Sequence, residues 1–269
     1  MKAVVLAGGR GRRMLPYTSV LPKPLMPLGD RSVLEILIEQ LYRSGFTDIT
    51  LSVGYLSHLI RAVLEGGGRT PPVNIEFVQE EEALGTAGPL RLIDDLGDTF
   101  LVVNGDLVTS LDVGELVEHH RRADNTVTIA AHRRIEKIDF GILSIDHAAE
   151  SDDPVRRVVA YEEKPEFPLN VSMGVYVIER RALAWIPEGY FDFPDLVLAL
   201  LSAGEVVGAY MYDGYWLDIG RYDDYEQAVA DWTQKVGGAL PNEELLEAQL
   251  DPLHRANGGT GSWRPSHRS

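Results

Sequence analysis

The first thirty residues combine a glycine-rich loop with a local concentration of positive charge. Gly8, Gly9 and Gly11 follow the apolar run Ala3–Ala7, and five basic side chains stand against one acid in this segment. The chain of 269 residues carries a formal net charge of −16, so the segment opposes the charge of the whole protein. Glycine lets backbone approach a ligand closely, and amide groups together with cationic side chains bind phosphate. The sequence therefore predicts a site for a local anionic ligand such as a polyphosphate.

Arg13 and Lys23 are the two cations of this segment whose chemistry and surroundings favour contact with a ligand. A guanidinium can bind two phosphate oxygens at once, and an ammonium adds a compact point charge. Pro22 and Pro24 restrict the backbone around Lys23 and so fix the direction of its side chain. A solvated surface lysine gains nothing from such stiffening, which favours a functional role.

Two common phosphate-binding motifs do not fit this loop. A dinucleotide fingerprint needs G-x-G-x-x-G, but Met14 stands at the third glycine, and no Gly-Lys-Ser or Gly-Lys-Thr triplet occurs in the chain. The glycines alone are equally consistent with a tight strand-to-helix turn whose arginines point into solvent.

Two aspartates further along the chain suit a divalent cation. Asp106 follows the apolar run Phe100–Val103 and the dipeptide Asn104-Gly105, and Mg²⁺ prefers one or two carboxylates together with phosphate oxygens. The dipeptide Asn104-Gly105 is also typical of an ordinary hairpin turn. Asp218 lies inside an apolar run, where a buried carboxylate needs a partner such as a metal ion.

The elements that must position these side chains alternate between strand and helix in the first half of the chain. Hydrophobic periodicity predicts strands at Lys2–Ala7, Asp48–Tyr55, Val73–Gln79 and Phe100–Asn104, and helices at Ser32–Phe46, Leu56–Glu65 and Pro89–Leu96. Ser32 with Glu35 predicts a capping box, and Thr86 is a candidate N-cap for the third helix. Such alternation predicts an α/β fold with a mostly parallel sheet.

The second half contains more strands and fewer helices, which predicts a mixed sheet or a substrate-side subdomain. The expected strands are Val127–His132, Gly141–Ile145, Val155–Tyr161, Val171–Ile178 and Val206–Ile219, and the expected helices are Pro194–Ala203 and Tyr222–Lys235. We expect one catalytic domain over residues 1–236 and a largely disordered tail over residues 237–269.

Composition excludes several classes of function. The acidic balance argues against nucleic-acid binding, and no apolar run is long enough for a membrane-spanning helix. The absence of cysteine excludes disulfides, thiolate metal sites and cysteine nucleophiles. These features, with an N-terminus that does not read as a signal peptide, predict a cytoplasmic protein without a membrane partner.

Taken together, the motifs resemble a known family. Gly8-Gly9-x-Gly-x-Arg-x-x-Pro followed by Pro22-Lys23-Pro24-Leu25 is similar to the signature of sugar-1-phosphate nucleotidyltransferases, the nucleotide-sugar pyrophosphorylases. The one departure is Arg12, which stands where the family usually has threonine. The resemblance covers roughly residues 1–232 and implies a Rossmann-like, three-layer α/β/α domain with a mixed, mainly parallel sheet. Hexapeptide repeats of a C-terminal β-helix do not occur in the sequence.

The resemblance also implies roles for individual residues. It places catalysis on Arg13, Lys23, Asp106, Lys164 and Asp218, with Mg²⁺ as cofactor on Asp106 and Asp218. Nucleotide binding falls to Leu6, Ala7, Gly8, Gly9, Gly11, Arg12, Gln79, Gly85 and Thr86, with Gln79 hydrogen-bonding the base and Gly85 lying beneath it. Sugar-phosphate binding falls to Asn104, Gly105, Gly141, Glu163, Lys164, Asn170 and Gly174.

The implied reaction joins a nucleoside triphosphate to a sugar 1-phosphate and releases pyrophosphate. The segments PKPLMP, LGTAGPL, KIDFGIL and WLDIGRYDDYEQA most resemble mannose-1-phosphate guanylyltransferases, which predicts GTP with a mannose- or heptose-type 1-phosphate. The alternatives are a UTP- or dTTP-dependent glucose-1-phosphate enzyme and a catalytically silent, nucleotide-sugar-binding regulatory subunit. A glycosyltransferase is disfavoured because no D-x-D motif follows a mid-chain strand. The family is commonly dimeric or tetrameric, so a homo-oligomer is possible.

Overall fold

The chain folds around one large β-sheet, seen in a computed structural model that describes residues 1–66, 70–146 and 155–234. In chain order, the strands are β1 Ala3–Ala7, β2 Pro27–Leu28, β3 Arg31–Ser32, β4 Asp48–Val53, β5 Asn74–Gln79, β6 Thr99–Asn104, β7 Leu107–Thr109, β8 Val127–Lys137, β9 Gly141–Ile145, β10 Val158–Glu163, β11 Glu166–Glu179, β12 Val207–Tyr212 and β13 Trp216–Asp218. The α-helices are α1 Val33–Arg43, α2 Ser57–Gly66, α3 Val113–Ala123, α4 Phe193–Ser202 and α5 Tyr222–Gln234. The tail that the sequence predicts from residue 237 lies outside the described residues.

The central sheet has seven strands in the order β12-β8-β11-β6-β1-β4-β5. Four of its pairs are parallel (β1 with β4, β1 with β6, β4 with β5, β12 with β8), and β11 runs antiparallel to both of its neighbours. The predicted mixed, mainly parallel sheet is therefore confirmed. It places the carboxyl ends of β1, β4, β5 and β6 at one edge, where ligands bind in open α/β sheets.

Helices cover both faces of this sheet because alternate residues of each strand point to opposite sides. Val5 packs in a core with side chains of α1, α2 and α3, whereas its neighbour Val4 packs on the other face with Leu196 and Leu200 of α4. This is the predicted three-layer arrangement. No described helix has the length and apolar character needed to span a membrane.

The start of α1 follows the sequence prediction. Ser32 Oγ accepts a hydrogen bond from the Glu35 amide at 3.3 Å, and Glu35 Oε2 accepts one from the Ser32 amide at 2.8 Å. The two bonds satisfy donors that would otherwise be left free in the first turn. The helix ends at Arg43, before the predicted Phe46, because Gly45 adopts a φ of 86°.

Helix α3 is an element that the sequence analysis did not predict. Asp112 begins it by accepting hydrogen bonds from the amides of Gly114 at 2.8 Å and Glu115 at 3.2 Å. Its buried positions have helical spacing, but one of them is His120 rather than an apolar residue. Because His120 is polar, the hydrophobic periodicity that would have predicted this helix is weakened.

Two other predictions gave the wrong type or number of elements. The segment predicted as a helix at Pro89–Leu96 contains a short 3₁₀ helix at Gly88–Leu92. The predicted strand Val206–Ile219 is two strands, of which β12 joins the central sheet and β13 pairs with β7. The break between them turns the chain away from the sheet edge and delivers Asp218 to the carboxyl end of β6.

An arm of two long strands extends beyond the central sheet. Residues 133–137 of β8 and 166–170 of β11 pair only with each other, because the pairing with β12 ends at His132 and the pairing with β6 begins at Val175. The arm carries a separate two-stranded ribbon, β9 with β10. The second strand of this ribbon was predicted at Val155–Tyr161 and lies at Val158–Glu163, and β11 is longer than the predicted Val171–Ile178.

Candidate active site

The signature loop turns sharply directly after β1. Gly11 has a φ of 58°, and a Cβ added there would lie 2.8 Å from the Thr18 methyl carbon, so a larger residue would be both strained and crowded. Thr18 Oγ1 donates a hydrogen bond to the Gly11 carbonyl at 2.8 Å, and Met14 is buried below. These contacts hold the loop while leaving the side chains of Arg12 and Arg13 exposed above it.

The loop then buries Lys23 against two carboxylates. Lys23 opens a 3₁₀ helix with Pro24 in its first turn, and only 8% of the residue is exposed. Its ammonium is hydrogen-bonded and ion-paired with Asp106 Oδ2, and it lies 3.4 Å from Asp218 Oδ1. The lysine between the two prolines therefore points at both aspartates.

A small ribbon brings the two aspartates together from distant parts of the sequence. Asp106 lies in the turn between β6 and β7, and Asp218 ends β13 opposite Leu107 of β7. The Ile219 amide also donates a hydrogen bond to the Asp106 carbonyl at 3.2 Å. Burial and the nearby charge of Asp106 raise the pKa of Asp218, and the opposing charges of Lys23 and Arg13 only partly offset this. Both carboxylates therefore face a common point.

This carboxylate pair fits a divalent cation. Mg²⁺ is usually bound by one or two protein carboxylates and completes its shell with substrate phosphates and water. Asp106 and Asp218 already bind one cation between them, the Lys23 ammonium. No cluster of three or more acidic, histidine or cysteine ligands occurs in the described part of the chain. The site therefore suits a metal that arrives with phosphate rather than one held by protein alone.

A cavity of about 430 Å³ lies between the signature loop and the segment after β5. Its lining includes the predicted nucleotide-binding residues Leu6, Ala7, Gly8, Gly9, Gly11, Arg12, Gly85 and Thr86, the catalytic candidates Arg13, Lys23 and Asp106, and Asn104 from the predicted sugar side. Residues far apart in sequence thus line one cavity beside the paired aspartates. It combines exposed loop backbone with three cationic side chains, which suits a triphosphate.

Gln79, the predicted ligand of the base, does not line this cavity. It is exposed, and its Nε2 lies 3.4 Å from the Gly54 carbonyl and 3.3 Å from the Glu80 carbonyl. Glu80 lines the cavity instead, since consecutive residues in an extended chain point to opposite sides. Its carboxylate accepts hydrogen bonds from Ser52 Oγ at 2.8 Å and the Leu84 amide at 3.3 Å.

The cavity wall at Gly85 and Thr86 contacts the start of α4 closely and is hydrogen-bonded to it. A Cβ on Gly85 would lie 2.5 Å from the Phe191 carbonyl, so the two loops approach through backbone alone. Thr86 is not the N-cap of its own 3₁₀ helix, where Ala87 has that place. Its hydroxyl donates to Asp192 Oδ1 at 3.0 Å and accepts from the Phe193 amide at 2.8 Å.

Tyr190 and Asp192 are lining residues that the sequence analysis missed. Tyr190 Oη donates a hydrogen bond to Asp192 Oδ2 at 2.5 Å, and both side chains line the cavity. Burial alone would raise the pKa of Asp192, but hydrogen bonds from Tyr190 and Thr86 outweigh it and hold this pKa below its ordinary value. An ionised carboxylate therefore stands at this wall. No sequence motif marks the pair.

The predicted sugar-side residues fall into two groups. Asn104, Gly105 and Gly174 lie together near Asp106. Gly174 has a φ of 76°, and its Cα hydrogens face the side chain of Asn104. Gly105 fits between strands, and its amide donates to the Leu6 carbonyl at 2.9 Å. These three positions lie at the carboxyl end of β6, beside the paired aspartates.

The second group lies on the arm. Gly141 starts β9, Glu163 ends β10 and accepts a hydrogen bond from Tyr161, and Lys164 is exposed with a φ of 45°. Asn170 is exposed on β11 opposite Arg133. No hydrogen bond or ion pair joins Gly141, Glu163 or Lys164 to Lys23, Asp106 or Asp218 within the described ranges. In the described residues, Lys164 is therefore not bonded directly to the residues with which it was expected to act.

A second cavity, of about 710 Å³, opens on the other side of Asp218. Arg13 and Asp218 line it together with His132, Arg133, Arg134, Trp216, Arg221 and Asp224, among others. Trp216 Nε1 donates to the Met173 carbonyl at 3.0 Å, and its ring packs on His132 with the ring centres 5.5 Å apart. His132 Nδ1 lies 2.8 Å from the Tyr212 carbonyl, which fixes the hydrogen on Nδ1 and leaves Nε2 as an acceptor in the neutral ring.

The sequence of the chain matches known proteins that transfer nucleotidyl groups. The model of the nucleotidyl transferase family matches residues 2–235. The chain is 31% identical over 231 residues to a mannose-1-phosphate guanyltransferase of Yarrowia lipolytica, covering 84% of this chain and 62% of that protein. It is 30% identical over 258 residues to the protein of the same name from Aspergillus fumigatus, covering 94% of this chain and 69% of the relative. The chain thus spans about three fifths to two thirds of these relatives.

Solved structures show the same likeness. HddC from Yersinia pseudotuberculosis, in complex with GMP-PN, is 26% identical with a TM-score of 0.63, covering 85% of this chain and 98% of that one. A putative glucose-1-phosphate thymidylyltransferase from Bacillus anthracis is 25% identical with a TM-score of 0.68, covering 89% and 97%. With a family match across nearly all of the described residues, the chain belongs to the nucleotidyl transferase family.

Proposed function

We propose that the protein transfers a nucleotidyl group from GTP to a mannose- or heptose-type sugar 1-phosphate and releases pyrophosphate. The observation that carries this proposal is the position of Lys23, Asp106 and Asp218 between two cavities, with Arg13 lining both. One cavity has the glycine loop and cations that suit a triphosphate. The other has aromatic and basic side chains that suit a phosphorylated sugar.

The reaction is an in-line substitution at phosphorus. An oxygen of the sugar phosphate forms a bond to the α-phosphorus of GTP, while the bond from that phosphorus to the β-phosphate breaks and its electron pair leaves on pyrophosphate. Since the nucleophile is already an anion, no covalent enzyme intermediate and no strong base are needed. Catalysis then rests on alignment and on neutralising charge.

The residues of the chain divide this work between them. The glycine-loop backbone with Arg12 and Arg13 holds the triphosphate, and Lys23 stabilises charge where the two cavities meet. Asp106 and Asp218 would hold Mg²⁺, which would supply further charge neutralisation to the phosphates. Trp216 and His132 form the wall of the sugar cavity, with Arg221 supplying a cation at its rim. Lys164, exposed on the arm, is the residue that we propose to steer the sugar phosphate.

Glu80 supports guanine as the base. Guanine presents two adjacent donors, N1–H and the exocyclic N2 amino group, and a carboxylate can accept both. Uracil and thymine present one N–H between two carbonyl oxygens, which a carboxylate repels. Ser52 and the Leu84 amide use two of the acceptor positions of Glu80, and two remain for a base. The names of the relatives, guanyltransferases among them, support the same choice.

Pyrophosphate release tests the proposal. The full chain with Mg²⁺ is given GTP, UTP, dTTP or ATP against a panel of sugar 1-phosphates that includes mannose, heptose and glucose forms. We expect the highest kcat/KM with GTP and a mannose- or heptose-type acceptor. Arg13→Ala and Asp106→Asn should each lower turnover by orders of magnitude, because they remove charge stabilisation at the reacting phosphates. Near-normal turnover in both variants would refute the assignment.

A glucose-1-phosphate enzyme using dTTP or UTP is the second candidate. It is favoured by the structural likeness to the Bacillus anthracis protein, whose name is putative glucose-1-phosphate thymidylyltransferase. The same panel separates the two, since this candidate requires dTTP or UTP to exceed GTP. Binding of a nucleotide sugar without any pyrophosphate release would indicate a regulatory subunit.

A further inference from the structure

We propose that His132 determines specificity for the sugar by accepting a hydrogen bond from one of its hydroxyl groups. This role rests on the proposed function, which assigns the cavity of about 710 Å³ beside Asp218 to the sugar phosphate. His132 lies at the last position of β8 that pairs with β12, opposite Tyr212, and it lines that cavity. The residue thus stands where the central sheet ends and the arm begins.

Two contacts hold the imidazole ring of His132. Its Nδ1 lies 2.8 Å from the Tyr212 carbonyl oxygen, which can only accept, so Nδ1 carries a hydrogen and donates it. The ring also packs against Trp216, with the ring centres 5.5 Å apart. Trp216 is itself fixed, since its Nε1 donates to the Met173 carbonyl at 3.0 Å. The imidazole therefore cannot turn over without losing its bond to Tyr212.

The second ring nitrogen of His132, Nε2, is open to the cavity. It has no hydrogen-bond partner among the residues that the structure describes. Within the same residues, every fully buried side-chain nitrogen or oxygen has a partner. Nε2 is therefore not buried, and the space that His132 lines is this cavity. In the neutral ring, Nε2 has no hydrogen and acts as an acceptor.

The chemistry of the cavity favours a hydroxyl group as the partner of Nε2. Phosphate oxygens only accept, so they suit the guanidinium groups of Arg13, Arg134 and Arg221 rather than a second acceptor. A sugar hydroxyl can donate to Nε2 while the C–H face of the sugar ring lies against Trp216. The phosphate and the sugar ring thus require different parts of the same lining.

The direction of this hydrogen bond makes the site selective. A sugar that lacks the hydroxyl, or holds it in another configuration, leaves the fixed acceptor of His132 without a partner in the complex. One neutral hydrogen bond of this kind corresponds to roughly three- to tenfold in kcat/KM. His132 therefore discriminates among sugars, whereas the arginines recognise the phosphate that all of the candidate sugars share.

Removing single hydroxyl groups from the sugar tests this role. Pyrophosphate release by the full chain with Mg²⁺ and its best nucleotide is measured for the best sugar 1-phosphate and for its deoxy forms, each lacking one hydroxyl. We expect one deoxy form to lose roughly three- to tenfold in kcat/KM with the native protein. The same form should lose nothing relative to the parent sugar with His132→Phe, which keeps a ring against Trp216 but has no acceptor.

Three controls accompany this measurement. The deoxyfluoro sugar at the same position should lose as much as the deoxy form, because fluorine cannot donate a hydrogen. His119→Phe is the matched variant, since His119 packs on Tyr210 with ring centres 5.1 Å apart but lines neither cavity, and it should keep the native pattern. His132→Gln, which again offers an acceptor, should recover part of the discrimination. The KM for the nucleotide should stay unchanged in all three variants.

Two results would overturn the role of His132. The first is an equal loss for the same deoxy form in the native protein and in His132→Phe, which would assign that hydroxyl to another acceptor such as Asp224. The second is a native protein that uses every deoxy form as well as the parent sugar, a result that needs no variant and holds even if the variants fold poorly. Absence of pyrophosphate release with every substrate pair would refute the proposed reaction as well, whereas turnover without this coupling refutes the role of His132 alone.

Discussion

At the scale of single residues, the proposed choice of base rests on which of two neighbouring side chains lines the nucleotide cavity. Glu80 lines that cavity and Gln79 does not. The side chains of Gln79 and Glu80 point in opposite directions because side chains alternate along an extended backbone. A sequence motif that ends at a strand boundary does not reveal which of these two side chains faces the ligand. The base specificity that we propose therefore depends on local geometry more than on residue type.

Glu80→Gln should reduce the preference for GTP. An amide offers one acceptor and one donor group, so it cannot accept from both guanine donors, and the expected loss is about 1–3 kcal/mol in discrimination. Measured as kcat/KM, the ratio of GTP to dTTP should fall by roughly ten- to a hundredfold. Gln79→Ala is the control and should leave the ratio unchanged. Equal effects of the two substitutions would contradict the role of Glu80.

At the scale of elements, the nucleotide cavity depends on a joint between two loops. Thr86 connects the segment after β5 to the start of α4, and the Phe191 carbonyl accepts hydrogen bonds from the Ala87 and Gly88 amides, both at 3.0 Å. The helix start and the cavity wall are thus one structure. A change in the hydroxyl of Thr86 should alter stability and nucleotide binding together.

Thr86→Val should lower the free energy of unfolding by about 1–2 kcal/mol, because the Phe193 amide loses its acceptor at the helix start. Urea unfolding measures this loss, and the KM for GTP should rise in the same variant. Thr86→Ser keeps the hydroxyl and should stay close to the native protein in both measurements. A serine variant as unstable as the valine variant would show that the methyl group, not the hydroxyl, matters.

At the scale of the whole molecule, the last described helix closes over the N-terminal segment. Trp232 of α5 lies against Gly29 in the turn between β2 and β3, and Tyr225 Oη donates to the Pro27 carbonyl at 2.7 Å. Tyr17 of the signature loop stacks on Tyr222 with ring centres 5.9 Å apart. The end of the catalytic fold therefore supports the loop with which it begins.

Gly29→Ala should destabilise the protein because it combines two effects. The φ of 63° disfavours any side chain, and the new Cβ would lie 2.7 Å from Trp232 Nε1. Gly45→Ala is a matched control, since Gly45 has a φ of 86° but no atom within 4 Å of its added Cβ. Backbone strain alone costs about 1–2 kcal/mol. Thermal or urea unfolding should therefore show a clearly larger loss in the free energy of unfolding for Gly29→Ala than for Gly45→Ala. Equal losses would mean that α5 does not press on this turn.

The sequence predicted those parts of the molecule that depend on local pattern. The buried strands, the α1 capping box and the direction of Lys23 follow from neighbouring residues. The pairing of Asp218 with Asp106 depends on the β7–β13 ribbon, which arises only after the chain turns away from β12. Helix α3 escaped prediction because His120 fills an apolar position. Lys164 lies between β10 and β11 on the arm, whose pairing involves strands far from the signature loop in sequence.

The burial of Lys23 has a consequence for the chemical reactivity of the free protein. Acylating reagents need access to an amine, and Lys23 Nζ is enclosed and hydrogen-bonded to two carboxylates. Lys164 is exposed on the arm, so brief acylation followed by peptide mass spectrometry should label Lys164 and spare Lys23. If GTP and a sugar phosphate then protect Lys164 as well, the label records closure of the arm onto the site. Labelling of Lys23 in the free protein would contradict its enclosure.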